Sequence, residues 1–317
     1  DGTMSGMTGD RLLLLDSASL YFRAFYGVPD RRASRSAPPT NAVRGFLDMI
    51  ATLVARYEPT HLVACWDNDW RPAFRVEAIP SYKSHRLRDG SDSVEDTPED
   101  LQPQVPMIVD VLAALGIERV GADGFEADDV IGTLAHQWRD RGAVDVVTGD
   151  RDLFQLVDDA VPVRIVYTAK GGVRSPDLVT EAVLQDKYGI SGGRAYADMA
   201  VLRGDTSDGL PGVAGIGEKT AAALVNRYAD LEGLRAAVAD GDPHLKGARR
   251  RNLEDASDYL DAAPLVVRVA HDAPVGAVAG ALPTTVADPE RLLALAEELD
   301  VRSPVNRVLA ALRLGSE

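Results

Sequence analysis

The first half of the chain alternates short apolar runs with longer segments of helical periodicity. This pattern predicts strands at residues 11–15, 61–66, 144–148 and 161–167, and helices at residues 41–56, 101–115 and 125–139. Gly116 is placed to end the second of these helices, and Gly171 with Gly172 to form a hairpin turn after the fourth strand. Because strands separated by helices usually pair in parallel, we expect an α/β fold with a mainly parallel central sheet flanked by helices.

The second half of the chain has a different pattern. From about residue 178, helical segments rich in Ala and Leu follow one another without a convincing strand. We therefore predict an α/β core over residues 8–177 and a helical region over residues 178–317. Residues 89–98 are polar and acidic with a proline at the end, and this segment is expected to be disordered.

Acidic residues cluster where the predicted strands and helices meet loops. Asp16, Asp67 and Asp150 follow three of the strands, and the carboxyl ends of parallel strands meet at one edge of a sheet. The other candidates are Glu126, Asp128, Asp129, Asp152, Asp205 and Asp208. A core cannot bury so many carboxylates unpaired, and a solvated surface does not require this placement. The pattern indicates a site for divalent cations with oxygen ligands, and Mg²⁺ is typical where the substrate carries phosphate.

Composition excludes several classes of protein. The chain of 317 residues has one cysteine, Cys65, which excludes a disulfide framework. No stretch is long and apolar enough to span a membrane, and the start lacks the basic region and apolar core of a signal peptide. We expect a cytoplasmic protein, with a cloning remnant ahead of a native start at Met4 or Met7.

The net charge of −15 argues against a nucleic-acid partner, but the charge is unevenly distributed. Five basic residues and one acidic residue lie in residues 71–88, and the cations and an aromatic recur there about every one or two helical turns. The residues concerned are Arg71, Arg75, Tyr82, Lys83 and Arg86. One helical face could bind a strand of phosphates, with a base stacked on Tyr82. For the segment by itself, a solvated amphipathic surface is the alternative; the carboxylate cluster favours the phosphate interpretation.

A glycine-rich hairpin precedes a predicted helix at residues 211–222 (PGVAGIGEKTAA). Glycines let backbone approach a ligand closely, and free N–H groups at a helix start attract phosphate. The spacing from Gly212 to Lys219 is not that of a Walker A loop. The hairpin is either a plain helical connection or, as we prefer, a grip on the phosphate backbone of a duplex that reads no sequence.

Six blocks of residues resemble the 5′-nuclease (flap endonuclease) superfamily, above all the bacterial 5′–3′ exonucleases found alone or as the N-terminal part of DNA polymerase I. The blocks are residues 15–25 (LDSASLYFRAF), 66–75 (WDNDWRPAFR), 82–86 (YKSHR), 124–129 (GFEADD), 148–153 (TGDRDL) and 204–217 (GDTSDGLPGVAGIG). They stand in family order. The departures are Ser17 where the family usually has Gly, and Gly209 where bacterial members often have Asn; neither removes a ligand.

The resemblance implies two-metal-ion hydrolysis of DNA phosphodiesters by a structure-specific 5′–3′ exonuclease and flap endonuclease. The cofactor would be Mg²⁺ or Mn²⁺. One ion would be held mostly by Asp16, Asp67, Glu126 and Asp128, the other by Asp152, Asp205 and Asp208, with Asp150 bridging and Asp129 acting through water. The implied substrates are DNA with 5′ flaps, nicks or 5′ ends, and RNA–DNA hybrids. The implied setting is primer processing in replication, and repair, by a monomer associated with the nucleoid and not with membranes.

The resemblance also implies roles for other residues. Residues 71–104 would form a helical arch over a PIN-like core, where Lys83 and Arg86 join Asp16, Asp67 and Asp150 in catalysis and Tyr82 stacks on a terminal base. A motif of the helix-hairpin-helix type would cover residues 205–225. The expected DNA contacts are Arg23, Arg71, Arg75, Tyr82, Lys83, Arg86, Gly215, Gly217, Lys219 and Thr220. Backbone carbonyls of Val213 and Ile216 would hold K⁺.

Two hypotheses from other functional classes are alternatives to this one. A PIN-type ribonuclease would also use acidic ligands on an α/β fold, but such domains are much shorter and lack the Gly-Ile-Gly hairpin. A non-catalytic protein that binds branched DNA would keep the fold, but the complete carboxylate set counts against it.

Overall fold

A computed structural model describes residues 9–32, 34 and 37–314. Its sheet has six strands in the order β3-β2-β1-β4-β5-β6. The strands are β1 Asp10–Asp16, β2 His61–Trp66, β3 Glu118–Gly121, β4 Gly142–Thr148, β5 Val163–Tyr167 and β6 Asp177–Val179. Strands β1 to β5 pair in parallel and β6 pairs antiparallel to β5. The predicted α/β fold with a mainly parallel sheet is confirmed.

Helices cover both faces of the sheet and form most of the second half. They are α1 Ser17–Gly27, α2 Asn41–Tyr57, α3 Ala73–Ala78, α4 Gln104–Leu115, α5 Ala127–Trp138, α6 Glu181–Tyr188, α7 Gly193–Arg203, α8 Glu218–Tyr228, α9 Leu231–Ala239, α10 Gly247–Asp255, α11 Ser257–Val267, α12 Pro289–Glu298 and α13 Arg302–Ala311. Gly116 ends α4 in the left-handed conformation, with φ 83°, as predicted.

The apolar runs at residues 11–15 and 144–148 form the two central strands of the sheet, β1 and β4. Leu12 to Leu15 in β1 are all buried because helices cover both faces of this strand, which explains a continuous apolar run without alternation. Residues 168–176, with Gly171 and Gly172, connect the antiparallel pair β5 and β6, so a hairpin follows the fourth strand as predicted, although the pattern gave no bounds for its second strand. The pattern did not predict β3, β6, α1 or α3. The two strands missed have four and three residues, too few to show a period.

The two halves of the chain share their cores. One core packs α5 and most of the second-half helices against one face of the sheet. The other core, on the opposite face, contains residues of α2, α4, α12 and α13. The boundary predicted near residue 178 falls inside β6, and α12 and α13 return to pack on α4 and α2. The expected native start and the last three residues lie outside the described part of the chain.

The segment between β2 and α4 is not one continuous helix. It contains α3, a single turn of 3-10 helix at Ser84–Arg86 and a bridge between Leu87 and Glu95, before α4 begins at Gln104. The prediction that one helical face presents the cations is therefore wrong for this conformation. The disorder expected at residues 89–98 stays a prediction. Within the described residues, no helix has the length and apolar character needed to cross a bilayer.

Candidate active site

The carboxyl ends of β1 and β4 are tied together by hydrogen bonds around Asp16. The Thr148 hydroxyl donates to Asp16 Oδ2 at 2.6 Å, and the Ser19 amide donates to Asp16 Oδ1 at 3.1 Å. The Ser19 hydroxyl in turn accepts from the Gly149 amide at 2.8 Å. These bonds bring Asp16, at the end of β1, to the same edge as Asp150, two residues beyond β4. Thr148 and Ser19 were not among the predicted site residues.

Asp67 and Glu126 meet at the start of α5. Asp67 Oδ1 accepts from the Ala127 amide at 2.8 Å, and Glu126 is the N-cap of the same helix. Glu126 is 3% exposed and accepts from Lys83 Nζ at 2.8 Å and from the Tyr82 hydroxyl at 2.8 Å. The predicted catalytic lysine therefore lies against a predicted metal ligand. Tyr82 is only 3% exposed, so in this conformation its ring is packed inside and does not offer a face to a base.

Arg75 and Asp129 occupy the interior beside this cluster. Arg75 Nη1 and Nη2 donate to the two carboxylate oxygens of Asp129 at 2.8 and 2.7 Å, and Asp129 is fully buried. Asp129 also accepts from the Ala270 amide at 2.8 Å. It accepts as well from the Glu126 amide at 3.2 Å, which closes a capping box, so both of its oxygens are satisfied by protein donors. In this conformation Asp129 faces protein donors and Arg75 is buried, so a metal role for Asp129 and a DNA contact for Arg75 stay predictions.

The turn between α7 and α8 brings the last two carboxylates to the site. Arg86 Nη2 donates to Asp208 Oδ1 at 2.7 Å, so the second predicted catalytic cation also pairs with a predicted ligand. Burial raises the pKa of Asp205, but hydrogen bonds from Ser207 and the charges of Arg203 and Arg151 outweigh it and lower the pKa overall.

The carboxylates line two adjoining spaces. An open cleft of about 630 Å³ is lined by Asp16, Asp67, Glu126, Asp128 and Asp150, together with Lys83 and Arg86. A narrow cavity of about 20 Å³ is lined by Glu126, Asp128, Asp152, Asp205 and Asp208. All the predicted ligands except Asp129 therefore reach one of two spaces that share Glu126 and Asp128. Glu95 also lines the cleft, although nothing in its sequence context singled it out.

Burial, with crowding of like charges added to it, raises several carboxyl pKa values. Burial, with added repulsion from Asp67 and Asp150, raises the pKa of Asp16 to about 7. Burial, with repulsion from Asp150, Asp208 and Asp205, raises the pKa of Asp152 to about 8. Burial also raises the pKa values of Asp67, Asp128 and Asp208. A set of desolvated oxygen donors with too few counter-charges has the chemistry of a site for hard divalent cations.

The side chains are not arranged as a finished coordination shell. Among the residues that the structure describes, no group of three or more His, Cys, Asp or Glu side chains is placed to hold a metal ion as it stands. Repulsion between the carboxylates and the pairing of Lys83 with Glu126 and of Arg86 with Asp208 keep the oxygens apart. The donor chemistry fits divalent ions, and side-chain rotation would be needed to close around them.

Two other predicted DNA contacts hold loops in place. Arg23 Nη2 donates to the Ala169 carbonyl at 2.7 Å. Arg71 Nε donates to the Tyr82 carbonyl at 2.7 Å, and its Nη2 to the Pro80 carbonyl at 3.1 Å. Both guanidinium groups are thus turned toward backbone in this conformation, so their contact with DNA stays a prediction.

The glycine-rich hairpin has the predicted form. Gly215 has φ 72°, Gly217 is the N-cap of α8, and Lys219 is exposed in the first turn of that helix, followed by Thr220. The carbonyl of Val213 accepts from the Ile216 amide at 3.0 Å, which closes the turn. The K⁺ site expected at the carbonyls of Val213 and Ile216 stays a prediction.

Comparison with known proteins identifies the family. The sequence model described as 5'-3' exonuclease, N-terminal resolvase-like domain, matches residues 11–189, and that described as 5'-3' exonuclease, C-terminal SAM fold, matches residues 192–290. A 5'-3' exonuclease of Streptomyces coelicolor is 54% identical over 303 residues, which are 95% of this chain and 99% of that protein. The chain belongs to the 5′–3′ exonuclease family. The resemblance predicted from the sequence is confirmed, and the chain is an enzyme of this family.

Further relatives agree with this assignment. A 5'-3' exonuclease of Mycobacterium tuberculosis is 48% identical over 311 residues, covering 95% of this chain and 97% of that protein. DNA polymerase I of the same organism is 44% identical over 232 residues, 71% of this chain but 24% of the polymerase. A crystal structure of the bacteriophage T5 D15 flap endonuclease, in a pseudo-enzyme-product complex with DNA and metal ions, shares the fold with TM-score 0.62 and 16% identity, covering 96% of this chain and 99% of that one.

Proposed function

We propose that this 5′–3′ exonuclease hydrolyses DNA phosphodiesters with two divalent metal ions, both at 5′ ends and at 5′ flaps. One observation carries the proposal: eight of the nine predicted ligand carboxylates line two adjoining spaces, with Lys83 and Arg86 in the wall of the larger one. Metal-dependent hydrolysis of a phosphodiester uses anionic oxygens that bind the divalent ions, next to cations that bind the phosphate. The T5 relative in complex with DNA and metal ions supports the same substrate class and cofactor class.

The residues divide into two groups around the two spaces. Asp16, Asp67, Glu126 and Asp128 would hold one ion and Asp152, Asp205 and Asp208 the other, with Asp150, which lines the larger space, as the bridging ligand. The ions, when bound, would supply an activated water and stabilise the leaving oxygen. Lys83 Nζ and the Arg86 guanidinium would then leave Glu126 and Asp208 and donate to the oxygens of the scissile phosphate. Of the two cofactors expected, Mg²⁺ and Mn²⁺ both prefer oxygen ligands.

The hairpin and the segment over the cleft supply the binding surface. Gly215, Gly217, Lys219 and Thr220 lie at the exposed start of α8, where free N–H groups suit a duplex phosphate. We propose that K⁺ at the neighbouring carbonyls assists this contact. Residues 71–104 border the cleft, and a 5′ single strand would pass there. The substrates are then DNA flaps, nicks and 5′ ends, and RNA–DNA hybrids at primers, handled by a monomer at the nucleoid during replication and repair.

Cleavage of a synthetic 5′-flap DNA under different metals tests the proposal. We expect cleavage with Mg²⁺ or Mn²⁺, none in excess chelator, and inhibition by Ca²⁺, which binds oxygen ligands with looser geometry. Asp150→Asn should abolish cleavage, and Asp186→Asn, an exposed site on α6, should retain it. Cleavage in excess chelator would refute the metal mechanism. Binding without cleavage would favour the non-catalytic DNA binder, and cleavage of RNA alone would favour the PIN-type ribonuclease.

A further inference from the structure

The segment that carries Lys83 and Arg86 is hydrogen-bonded to the turn that carries Asp205 and Asp208. The Lys83 amide donates to the Asp208 carbonyl at 2.9 Å, and Arg86 Nη2 donates to the Ser207 carbonyl at 3.0 Å. The Ser81 hydroxyl donates to the Gly209 carbonyl at 2.8 Å. Residues 81–86, which we call the cation segment, are therefore attached to residues 207–209 by these three bonds and by the bond from Arg86 to Asp208 Oδ1.

Gly209 permits this close approach. Its φ is +73°, and a Cβ atom added there would lie 2.2 Å from the Ser81 carbonyl oxygen and 3.6 Å from the Lys83 amide nitrogen. The nearest obstacle is backbone, which cannot turn aside as a flexible side chain can. With the backbone spacing of this chain, a Cβ at residue 209 would therefore push the cation segment away from the turn.

Lys83 itself has an uncommon backbone conformation. Its φ is +48° and its ψ is 19°, in the left-handed region that residues with a Cβ rarely adopt. Contacts on both sides hold it there, because its amide is fixed by Asp208 and its Nζ by Glu126. A conformation of this kind persists only where the surroundings determine it, and here the surroundings are the turn at residues 207–209.

We propose that Gly209 and Ser81 are positioning residues that set where Lys83 and Arg86 stand relative to a duplex held by the hairpin. The proposal rests on the proposed function. The turn at residues 205–210 runs directly into the hairpin at residues 211–217, so its backbone links the duplex-binding surface to the cation segment. The length of this link selects which phosphate reaches Lys83. Gly209 thereby determines the position of the cut as well as its rate.

Product lengths and rates of variants on one 5′-flap substrate test the proposal. Gly209→Ala should lower the single-turnover rate about 100-fold, as expected for a displacement near 1 Å, and should spread the cut over neighbouring phosphates. Ser81→Ala should lower the rate about five-fold, the effect of one hydrogen bond. Gly276→Ala is the matched control, since Gly276 lies outside the proposed binding surface and has φ +69° with nothing within 4 Å of an added Cβ. The control should cut at the wild-type position.

A double-mutant cycle separates positioning from general damage. If Gly209 acts through Lys83, Gly209→Ala should cost less than about three-fold in a Lys83→Ala background, because the two changes remove the same interaction. Equal costs in both backgrounds, or an unchanged cut position in Gly209→Ala, would overturn the proposal.

Hydrogen exchange gives a readout that does not depend on cleavage. In Ser81→Ala, which leaves the backbone unaltered, amides of residues 79–86 should exchange faster than in the wild type, and those of α5 should not change. Hydrogen exchange in Ser81→Ala still tests the proposal if the Gly209→Ala protein does not fold. If the wild-type protein fails to cleave a flap while Ser81→Ala still loosens residues 79–86, the proposed function is wrong and the attachment stands. Unchanged exchange in residues 79–86 would refute the attachment itself.

Discussion

Arg75 and Asp129 form a buried bidentate ion pair that joins three parts of the chain. Asp129 lies in the first turn of α5, Arg75 lies on α3, and Arg75 Nε donates to the Val266 carbonyl of α11 at 3.1 Å. The pair therefore fixes the base of the segment that borders the cleft against both the α/β core and the second-half helices. In this conformation its contacts are structural, although both residues belong to blocks that resemble nuclease motifs.

Removing one partner of this pair should destabilise the protein strongly. Arg75→Ala leaves Asp129 buried without its counter-charge, so we expect the free energy of unfolding to fall by about 3–5 kcal/mol. Arg139→Ala is the control, because Arg139 is exposed and its partners, Asp140 at 3.6 Å and His136 Nε2 at 2.7 Å, are exposed too, so it should change stability by less than about 0.5 kcal/mol. Urea denaturation measures both. A loss for Arg75→Ala as small as that for Arg139→Ala would contradict the assignment.

Two lysines should separate chemistry from binding. Lys83→Ala should reduce the single-turnover rate on a flap by about 1,000-fold, within the range known for loss of a positioned cation, and change affinity only modestly. Lys219→Ala should leave the single-turnover rate nearly unchanged, weaken duplex binding and reduce the salt slope by about one unit. If both variants lose affinity equally and keep the wild-type rate, the roles of the cleft and of the hairpin are wrongly assigned.

The metal-free protein should be less stable at alkaline pH. In the folded state, burial raises the pKa of Asp16 to about 7 and that of Asp152 to about 8. The folded protein then binds more protons than the unfolded chain at pH values below 8, so the free energy of unfolding should rise as pH falls from 8.5 to 6.5.

Thermal melts in chelator check this pH dependence, and Mg²⁺ should reverse it. Metal binding needs ionised carboxylates, so the rise in Tm on adding Mg²⁺ should be larger at pH 8.5 than at pH 6.5. Asp152→Asn removes one of the repelled charges and should flatten the dependence of the metal-free protein. A metal-free Tm that increases from pH 6.5 to 8.5 would show that the crowded carboxylates do not govern stability there.

DNA should order the segment that borders the cleft. Residues 71–88 are cationic and residues 89–98 are acidic and polar, so phosphates that neutralise the cations should favour an ordered form. We expect slower hydrogen exchange across residues 71–100 when a 5′-flap DNA is added. A bulky protein cap on the 5′ end should block cleavage if the strand threads beneath the segment. Unchanged exchange together with full cleavage of a capped flap would refute both expectations.

The sequence predicted which carboxylates meet at the site better than it predicted which charged side chains pair with one another there. Carboxylates after strands could be placed because parallel strands end at one edge, and Asp16, Asp67 and Asp150 do so. Which charges pair with one another depends on contacts between distant segments, and no local spacing shows that Arg75 meets Asp129 54 residues away. Periodicity likewise suggested a single cationic helix at residues 71–88, but Pro80 and the left-handed Lys83 interrupt it.

The central place of β1 has a consequence for how the chain folds. β1 pairs with β2 on one side and with β4 on the other, and the bond between Asp16 and Thr148 spans 132 positions. During synthesis, one edge of β1 therefore stays unpaired until β4 has left the ribosome, so the middle strand of the sheet is completed late. Contacts this distant in sequence make folding slow, and the crowded carboxylates come together only in that last closure. Divalent ions present at that moment should speed the closing step by relieving the repulsion, which makes the refolding rate sensitive to metal before any substrate is involved.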